Sequence, residues 1–274
     1  MILGASILQL PAIRKARSMG VRVIGVDMDP HAVGMAECDI ALPISTIDIP
    51  AVAAAAKEYR IDGVMTLASD MPMRTVARVG RELGLPAISE AAAFRATDKF
   101  AMREALFSAG VPVPRFFAVH TYVEYQQAVA QLGAPCWIIK PADSSGSRGV
   151  HLVSSTLAVD EQERLFADSL FYSRSGKVMV EEFMTGPEIS VESLTIHGET
   201  RILAITDKLI VGNGNFTEIG HTQPSTLPQE VQNAVCAVVK KTVQAIGIDY
   251  SPSHTELKIT PDGPKVVEIG ARMG

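Results

Sequence analysis

Residues 254–270 read H-T-E-L-K-I-T-P-D-G-P-K-V-V-E-I-G. Two strand-like runs flank Pro261, Asp262 and Gly263, which directs the chain into an antiparallel hairpin. In a three-residue loop, proline takes the first turn position and glycine the left-handed one. Thr260 then pairs with Pro264, Ile259 with Lys265, Leu257 with Val267 and Glu256 with Glu268. Leu257, Ile259, Val267 and Ile269 share an apolar face, and Glu256 and Glu268 stand opposite each other on the other. Like charges so placed repel, and a divalent cation would turn that repulsion into a site. Oxygen-only donors point to Mg²⁺ or Mn²⁺ rather than zinc. A two-residue Asp262-Gly263 turn is the alternative register, and it puts the two glutamates on opposite faces.

The first ninety residues constrain the fold differently. Apolar runs at 1–3, 21–26 and 63–67 alternate with helix-like stretches ending at Met19, Tyr59 and Leu83. Buried apolar strands alternating with helices predict a parallel, Rossmann-like sheet. The first turn, Gly4 to Gln9, sits where a dinucleotide fingerprint would, and Asp27 ends the second strand. Only the first glycine of G-x-G-x-x-G is present. Two readings stay open: a structural turn with Ser6 as helix N-cap, or a bound nicotinamide or flavin nucleotide. Near residue 94 the pattern changes, so the expected division is 1–94 and 95–274. The class is α/β, with α+β character in the second part.

Composition narrows the function. Of 274 residues, 47% are hydrophobic and the formal net charge is −5, which leaves no basic surplus for coating nucleic acid. Cys38, Cys136 and Cys236 stand far apart, without zinc or disulfide spacing. No apolar run reaches the ~18 residues of a membrane span, and a cytoplasmic protein is the expectation.

Three further stretches carry chemistry. In Thr97-Asp98-Lys99, Thr97 or Asp98 caps a helix that Gly110 closes, so Lys99 lies in the first turn. The helix dipole disfavours a cation there unless an anion is shared between them. Lys140 closes a strand-like run, and Ser144, Ser145, Gly146, Ser147 and Gly149 follow. Such a loop folds over phosphates or is a plain hairpin loop, and it is not a P-loop. In V-M-V-E-E-F-M-T-G-P-E, residues 178–188, a strand ends in Glu181, Glu182 and Phe183, and Glu188 opens another. Strand-end carboxylates beside backbone amides suit an adenine amino group and ribose hydroxyls. Arg272, four residues past Glu268, suits a carboxylate or phosphoryl oxygen.

In this order the four stretches resemble the ATP-grasp superfamily, in its carboxylate-amine ligase and carbamoyl-phosphate-synthase-like branch. The resemblance implies a Rossmann-like domain followed by an ATP-grasp fold with a lid subdomain at about 113–184. It implies that ATP and Mg²⁺ (or Mn²⁺) are bound. Lys99 and Lys140 match the phosphate-binding lysines, and the 144–149 loop matches the lid over the phosphates. Glu181, Glu182 and Phe183 match the adenine hinge, Glu188 the ribose acid, and Glu256 and Glu268 the metal acids. Lys208 and His221 resemble groups facing the γ-phosphate and the acceptor, with Glu218 beside them. Arg272 matches the arginine that meets the carboxylate or its phosphorylated form.

The implied reaction joins a small-molecule carboxylate to an amine through an acyl phosphate, in an enzyme for which a homodimer is one expected assembly. Two departures stand out. The pattern E-x-N has Gly270 in place of its asparagine. The chain also stops at Gly274 where relatives continue, so an incomplete chain is expected. Competing readings are a bicarbonate-phosphorylating enzyme, a non-catalytic ATP-binding module, and a nicotinamide oxidoreductase resting on Gly4 and Asp27.

Overall fold

The computed structural model describes residues 1–144, 146, 148–210 and 218–274. Strands β1 (Ile2–Leu3), β2 (Ile24–Val26), β3 (Ile40–Leu42) and β4 (Met65–Thr66) form a parallel sheet in the order β3-β2-β1-β4. Helices α1 (Leu10–Ser18), α2 (Ile49–Glu58) and α3 (Met73–Leu83) alternate with them. Gly84, left-handed at φ 65°, ends α3, a conformation in which glycine meets no Cβ penalty.

The turn after β1 is closed by its own side chains. The Asp27 carboxylate accepts from the Ala5 amide (2.8 Å). The Gln9 Oε1 accepts from the Ser6 amide (3.0 Å) and hydroxyl (2.6 Å), and its Nε2 donates to the Leu67 carbonyl (2.6 Å). Gln9 packs against Gly4, where an added Cβ would lie 3.1 Å from it. Donors that a pyrophosphate would need are thus already spent, which favours the structural turn. Ser6 is not the helix N-cap: α1 starts at Leu10 with Gln9 in the cap position.

Two helices lead out of this unit. Residue 94, the expected boundary, lies inside α4 (Glu90–Thr97), which Ser89 caps through the Ala92 amide. Asp98 ends α4 and caps α5 (Lys99–Ser108) by accepting from the Ala101 amide at 2.9 Å.

The next sheet, β5 (Phe116–Val119), β6 (Cys136–Pro141), β7 (His151–Ser154) and β8 (Val178–Glu182), is antiparallel in the order β5-β8-β6-β7. Helices α6 (Tyr122–Leu132) and α7 (Val159–Phe171) contribute to its own core of Tyr125, Trp137, Ile139, Phe166 and Val180.

The last sheet is antiparallel, in the order β11-β10-β9-β12-β13. It contains β9 (Glu188–Ile196), β10 (Glu199–Ile210), β11 (Glu218–Thr222), β12 (Ser251–Thr260) and β13 (Gly263–Gly270). Helix α8 (Gln229–Ile246) packs on it through Val235, Val239 and Val243. One apolar cluster runs from Leu3 and Val26 of the first sheet to Ile189, Leu257 and Ile269 of the last, so the first and last sheets share a core.

Candidate active site

The β12–β13 hairpin corrects the expected register near its turn. Thr260 pairs with Gly263, Ile259 with Pro264, Lys258 with Lys265 and Leu257 with Val266. The loop is therefore the two residues Pro261-Asp262, one shorter than the three-residue loop. Carried on unbroken, that register would set Glu268 opposite Thr255. A β-bulge intervenes: Glu256 pairs with Glu268, which leaves Val267 as the extra residue. The glutamates stand opposite each other as expected, but the bulge puts them there. Val266, not Val267, joins the core with Leu257 and Ile269, all fully buried. Val267 turns toward the cavity instead, and its carbonyl accepts from Arg103 Nη2 at 2.6 Å.

That cavity, about 290 Å³, is lined by Lys99, Lys140, Glu182, Lys208, Glu256 and Glu268, among others. Gly146 also lines it, whereas Gly149 does not. Gly149 is held back by the Ser169 hydroxyl, which donates to its carbonyl (2.7 Å), and an added Cβ would meet Tyr172 at 3.0 Å. Ser145 and Ser147 lie outside the described residues.

Lys140, the penultimate residue of β6, sits in a buried ion triad. Its Nζ lies 2.7 Å from Glu181, whose carboxylate also takes a two-pronged contact from Arg103 (2.8 and 3.2 Å). Burial alone would raise the Glu181 carboxyl, yet Arg103 and Lys140 outweigh it and hold it at about 2. For Lys140 burial wins and pushes the ammonium below its ordinary value. Arg103 already engages both Glu181 oxygens, so the second cation is under-compensated. Glu181 thus serves as counter-ion to Lys140, and it lines the cavity as well. Glu182, Phe183 and Met184 line the cavity beyond it, with Glu182 accepting from the Arg115 amide at 3.2 Å.

Lys99 stands in the first turn of α5, as the sequence required, and its amide donates to the Ala142 carbonyl of the loop after β6 (2.7 Å). Its Nζ meets Glu268 at 2.8 Å. Burial would lower this ammonium, and Glu268 more than offsets it.

Lys208 of β10 is the hub of a second cluster. Glu218 (2.6 Å), Glu188 (2.8 Å) and Glu256 (3.0 Å) converge on its Nζ. Burial would lower this ammonium, but the three carboxylates raise it. Glu188 also meets Lys258 at 3.3 Å. His254, between Glu192 and Glu256, is raised to about 9 because those two contacts outweigh burial. Glu256 is held at about 2: burial would raise it, and His254 and Lys208 prevail.

His221 falls outside this grouping. It is exposed on β11, reaches Glu218 at 2.9 Å, and does not line the cavity. Arg272 lines it and pairs with Asp70 of the first unit at 2.9 Å.

Sequence reasoning missed Arg103, Asp70, Lys258 and His254. Only Arg103 left a signal: it follows Lys99 by one helical turn, so both point from one face of α5. Among the described residues, no three His, Cys, Asp or Glu side chains are gathered as a metal site, and no helix is long and apolar enough to cross a membrane.

Lysines and opposed glutamates held between two antiparallel sheets, behind a parallel first unit, define a nucleotide-grasping architecture. The ATP-grasp domain family matches residues 132–274, and the chain belongs to it. It is 32% identical over 219 residues to the uncharacterized protein y4rH of Sinorhizobium fredii, covering 79% of this chain and 44% of that one. It is 28% identical over 228 residues to alanine–anticapsin ligase of Bacillus subtilis, covering 76% and 48%. The chain thus spans about half the length of these curated relatives. The L-amino acid ligase of Bacillus licheniformis superposes with a TM-score of 0.81 at 26% identity, covering all of this chain and 66% of that one. The ADP complex of purK, an N5-carboxyaminoimidazole ribonucleotide synthetase, gives 0.84 at 20% identity, covering 99% and 69%; that likeness shows the fold.

Proposed function

We propose that this chain carries the nucleotide site of an ATP-dependent carboxylate-amine ligase. The observation that carries the reading is one cavity in which Lys99, Lys140 and Lys208 converge with the opposed Glu256 and Glu268. The names of the alanine–anticapsin and L-amino acid ligases support it.

The residues divide the work. Phe183 and Met184 offer apolar surface to a base, with Glu182 and Glu188 as acceptors for amino and hydroxyl groups. Lys140 and Lys99 would hold phosphates. Glu256 and Glu268 would hold a divalent cation, because two opposed carboxylates form a hard-oxygen donor set. A bound Mg²⁺ would supply charge neutralisation at the transferring phosphoryl group. Arg272 would meet the terminal phosphoryl group and the carboxylate that attacks it.

The carboxylate oxygen forms a bond to the γ-phosphorus as the β,γ-bridging P–O bond breaks, releasing ADP. The amine nitrogen then bonds to the acyl carbon, the C–O bond to phosphate breaks, and the amine loses a proton. Catalysis in this scheme is positioning plus charge neutralisation. Ser144, Gly146 and Arg148, which line the cavity, would cover the phosphates, a cytoplasmic location suits the reaction, and a homodimer belongs to the same reading.

Mg²⁺-dependent ADP release, screened over carboxylates and amines, tests the proposal. Turnover that requires both an acid and an amine is the expected result. ADP formation with bicarbonate alone moves the chain to the bicarbonate-phosphorylating class. Mg-ATP binding without turnover across the screen leaves a binding module.

A further inference from the structure

Gly270 ends β13 in a space where no side chain fits. A Cβ built there would lie 2.5 Å from Asp70 Oδ1 and 3.0 Å from Arg272 Cζ. Asp70 belongs to the first unit, 200 residues earlier in the chain. Its Oδ2 accepts from Arg272 Nη2 at 2.9 Å. The other oxygen, Oδ1, is buried against Gly270 and, like Arg272 Nε, has no hydrogen-bond partner among the described residues. Both side chains line the cavity beside Lys99 and Glu268.

The loop that presents Asp70 is braced from two sides. Gln9 Nε2 donates to the Leu67 carbonyl, and the Ala68 amide donates to the Met273 carbonyl at 3.0 Å. Ala68 sits at φ 53°, a left-handed conformation that a non-glycine residue holds only where its surroundings enforce it. The Asp70 carbonyl accepts from the Met73 amide (3.0 Å), closing the turn that leads into α3, whose N-cap is Pro72. A strained, doubly anchored loop thus delivers one carboxylate to one guanidinium.

We propose that Asp70 is the positioning residue for Arg272, and that Asp70, Arg272 and Gly270 form a single clasp joining the first unit to the phosphate end of the cavity. Asp70, nearest of all, and the Arg272 guanidinium that it holds occupy the volume that a side chain at 270 would need, so residue 270 is glycine on the pair's account. The clasp fixes Arg272 where a terminal phosphate would be met. This function rests on the nucleotide-site reading above.

Gly270→Ala is the sharp probe. It changes no charge, and the atoms it would strike are side-chain ends, so it displaces the clasp rather than the backbone. The affinities of wild type and variants for Mg-ADP and for a non-hydrolysable Mg-ATP analogue, measured by calorimetry, isolate the contribution of the terminal phosphate. Gly270→Ala is expected to cut the preference for the ATP analogue over ADP at least fivefold. With Asp70→Ala already in place, the same substitution should cut it less than twofold. A merely structural role would weaken both nucleotides alike.

Thermal melting reads the same cycle without a ligand: Gly270→Ala lowers the melting temperature when Asp70 is present and not when it is alanine. Equal effects of Gly270→Ala in the two backgrounds, unfolding in both included, would overturn the clasp, and so would no effect in either. If wild type binds neither nucleotide, the nucleotide-site reading falls and with it the role at a terminal phosphate, while the melting cycle still decides the clasp.

Discussion

Two ion clusters line the cavity with opposite charge balance. Around Glu181 stand Arg103 and Lys140, two cations for one carboxylate. Around Lys208 stand Glu188, Glu218 and Glu256, and adding Lys258, His254 and Glu192 makes four carboxylates against three cations once His254 is protonated. Lys99 and Glu268 add a balanced pair. Uncompensated buried charge is costly, so folds seldom keep it without a use. The cation surplus at Lys140 suits an incoming phosphate, and the carboxylate surplus around Glu256 suits an incoming metal or ammonium group. The difference teaches where each part of a metal–nucleotide complex would fit.

The largest expected effect falls on the cation-rich cluster. Glu181→Gln leaves Arg103 and Lys140 buried without a counter-ion, and should cost about 3–5 kcal/mol in denaturant unfolding. A loss below about 1 kcal/mol would mean that the triad is looser than its geometry. Acid sharpens the same point. Glu181 titrates near 2 in the folded chain and near ~4.3 when unfolded. Its contribution is therefore complete above the unfolded value and lost as pH falls toward about 2. The stability gap between wild type and Glu181→Gln should narrow as pH drops from ~5 to ~2.5. A gap that stays constant would detach Glu181 from this role.

Next comes Lys140 itself. Lys140→Ala removes the surplus cation but leaves Arg103 to neutralise Glu181. Nucleotide affinity should fall at least tenfold, about 1.4 kcal/mol, while unfolding stability changes less than in Glu181→Gln. Unchanged affinity by calorimetry would remove Lys140 from the site.

On the carboxylate side, Glu268→Gln should reduce the Mg²⁺ dependence of nucleotide binding several-fold, because one of the two opposed carboxylates loses its charge and one of its oxygens. Equal Mg²⁺ titrations for variant and wild type would break the assignment of Glu256 and Glu268 to a metal.

Much of the cation side was legible in the sequence. The place of Lys99 in the first turn was readable from a cap at Thr97 or Asp98 and the closing Gly110, because helix ends carry local signals. Lys140 stood out as a lysine closing an apolar strand. Its counter-ion Glu181 was assigned elsewhere, because alternation along β8 does not tell which partner a buried carboxylate finds across sheets. The opposed glutamates were legible for an incomplete reason. Proline and glycine marked the turn, but the bulge at Val267 is fixed by packing Val266 inward and by Arg103 reaching the Val267 carbonyl. Neither cause is local. Asp70 was invisible for the same reason, since its partner lies 202 positions away.

The smallest effect is expected at the rim of the carboxylate-rich cluster. Among the described residues, His221 touches that cluster only through Glu218, which in turn touches Lys208. Its side chain is 54% exposed, so solvent screens any charge it carries. His221→Asn should leave the affinity for Mg-nucleotide within twofold of wild type and the melting temperature unchanged. A role toward the acceptor would then appear only in ADP release under saturating nucleotide, as a lower turnover rate with affinity preserved. A tenfold loss of nucleotide affinity would place His221 inside the cluster and erase the contrast between a shielded hub at Lys208 and its exposed edge.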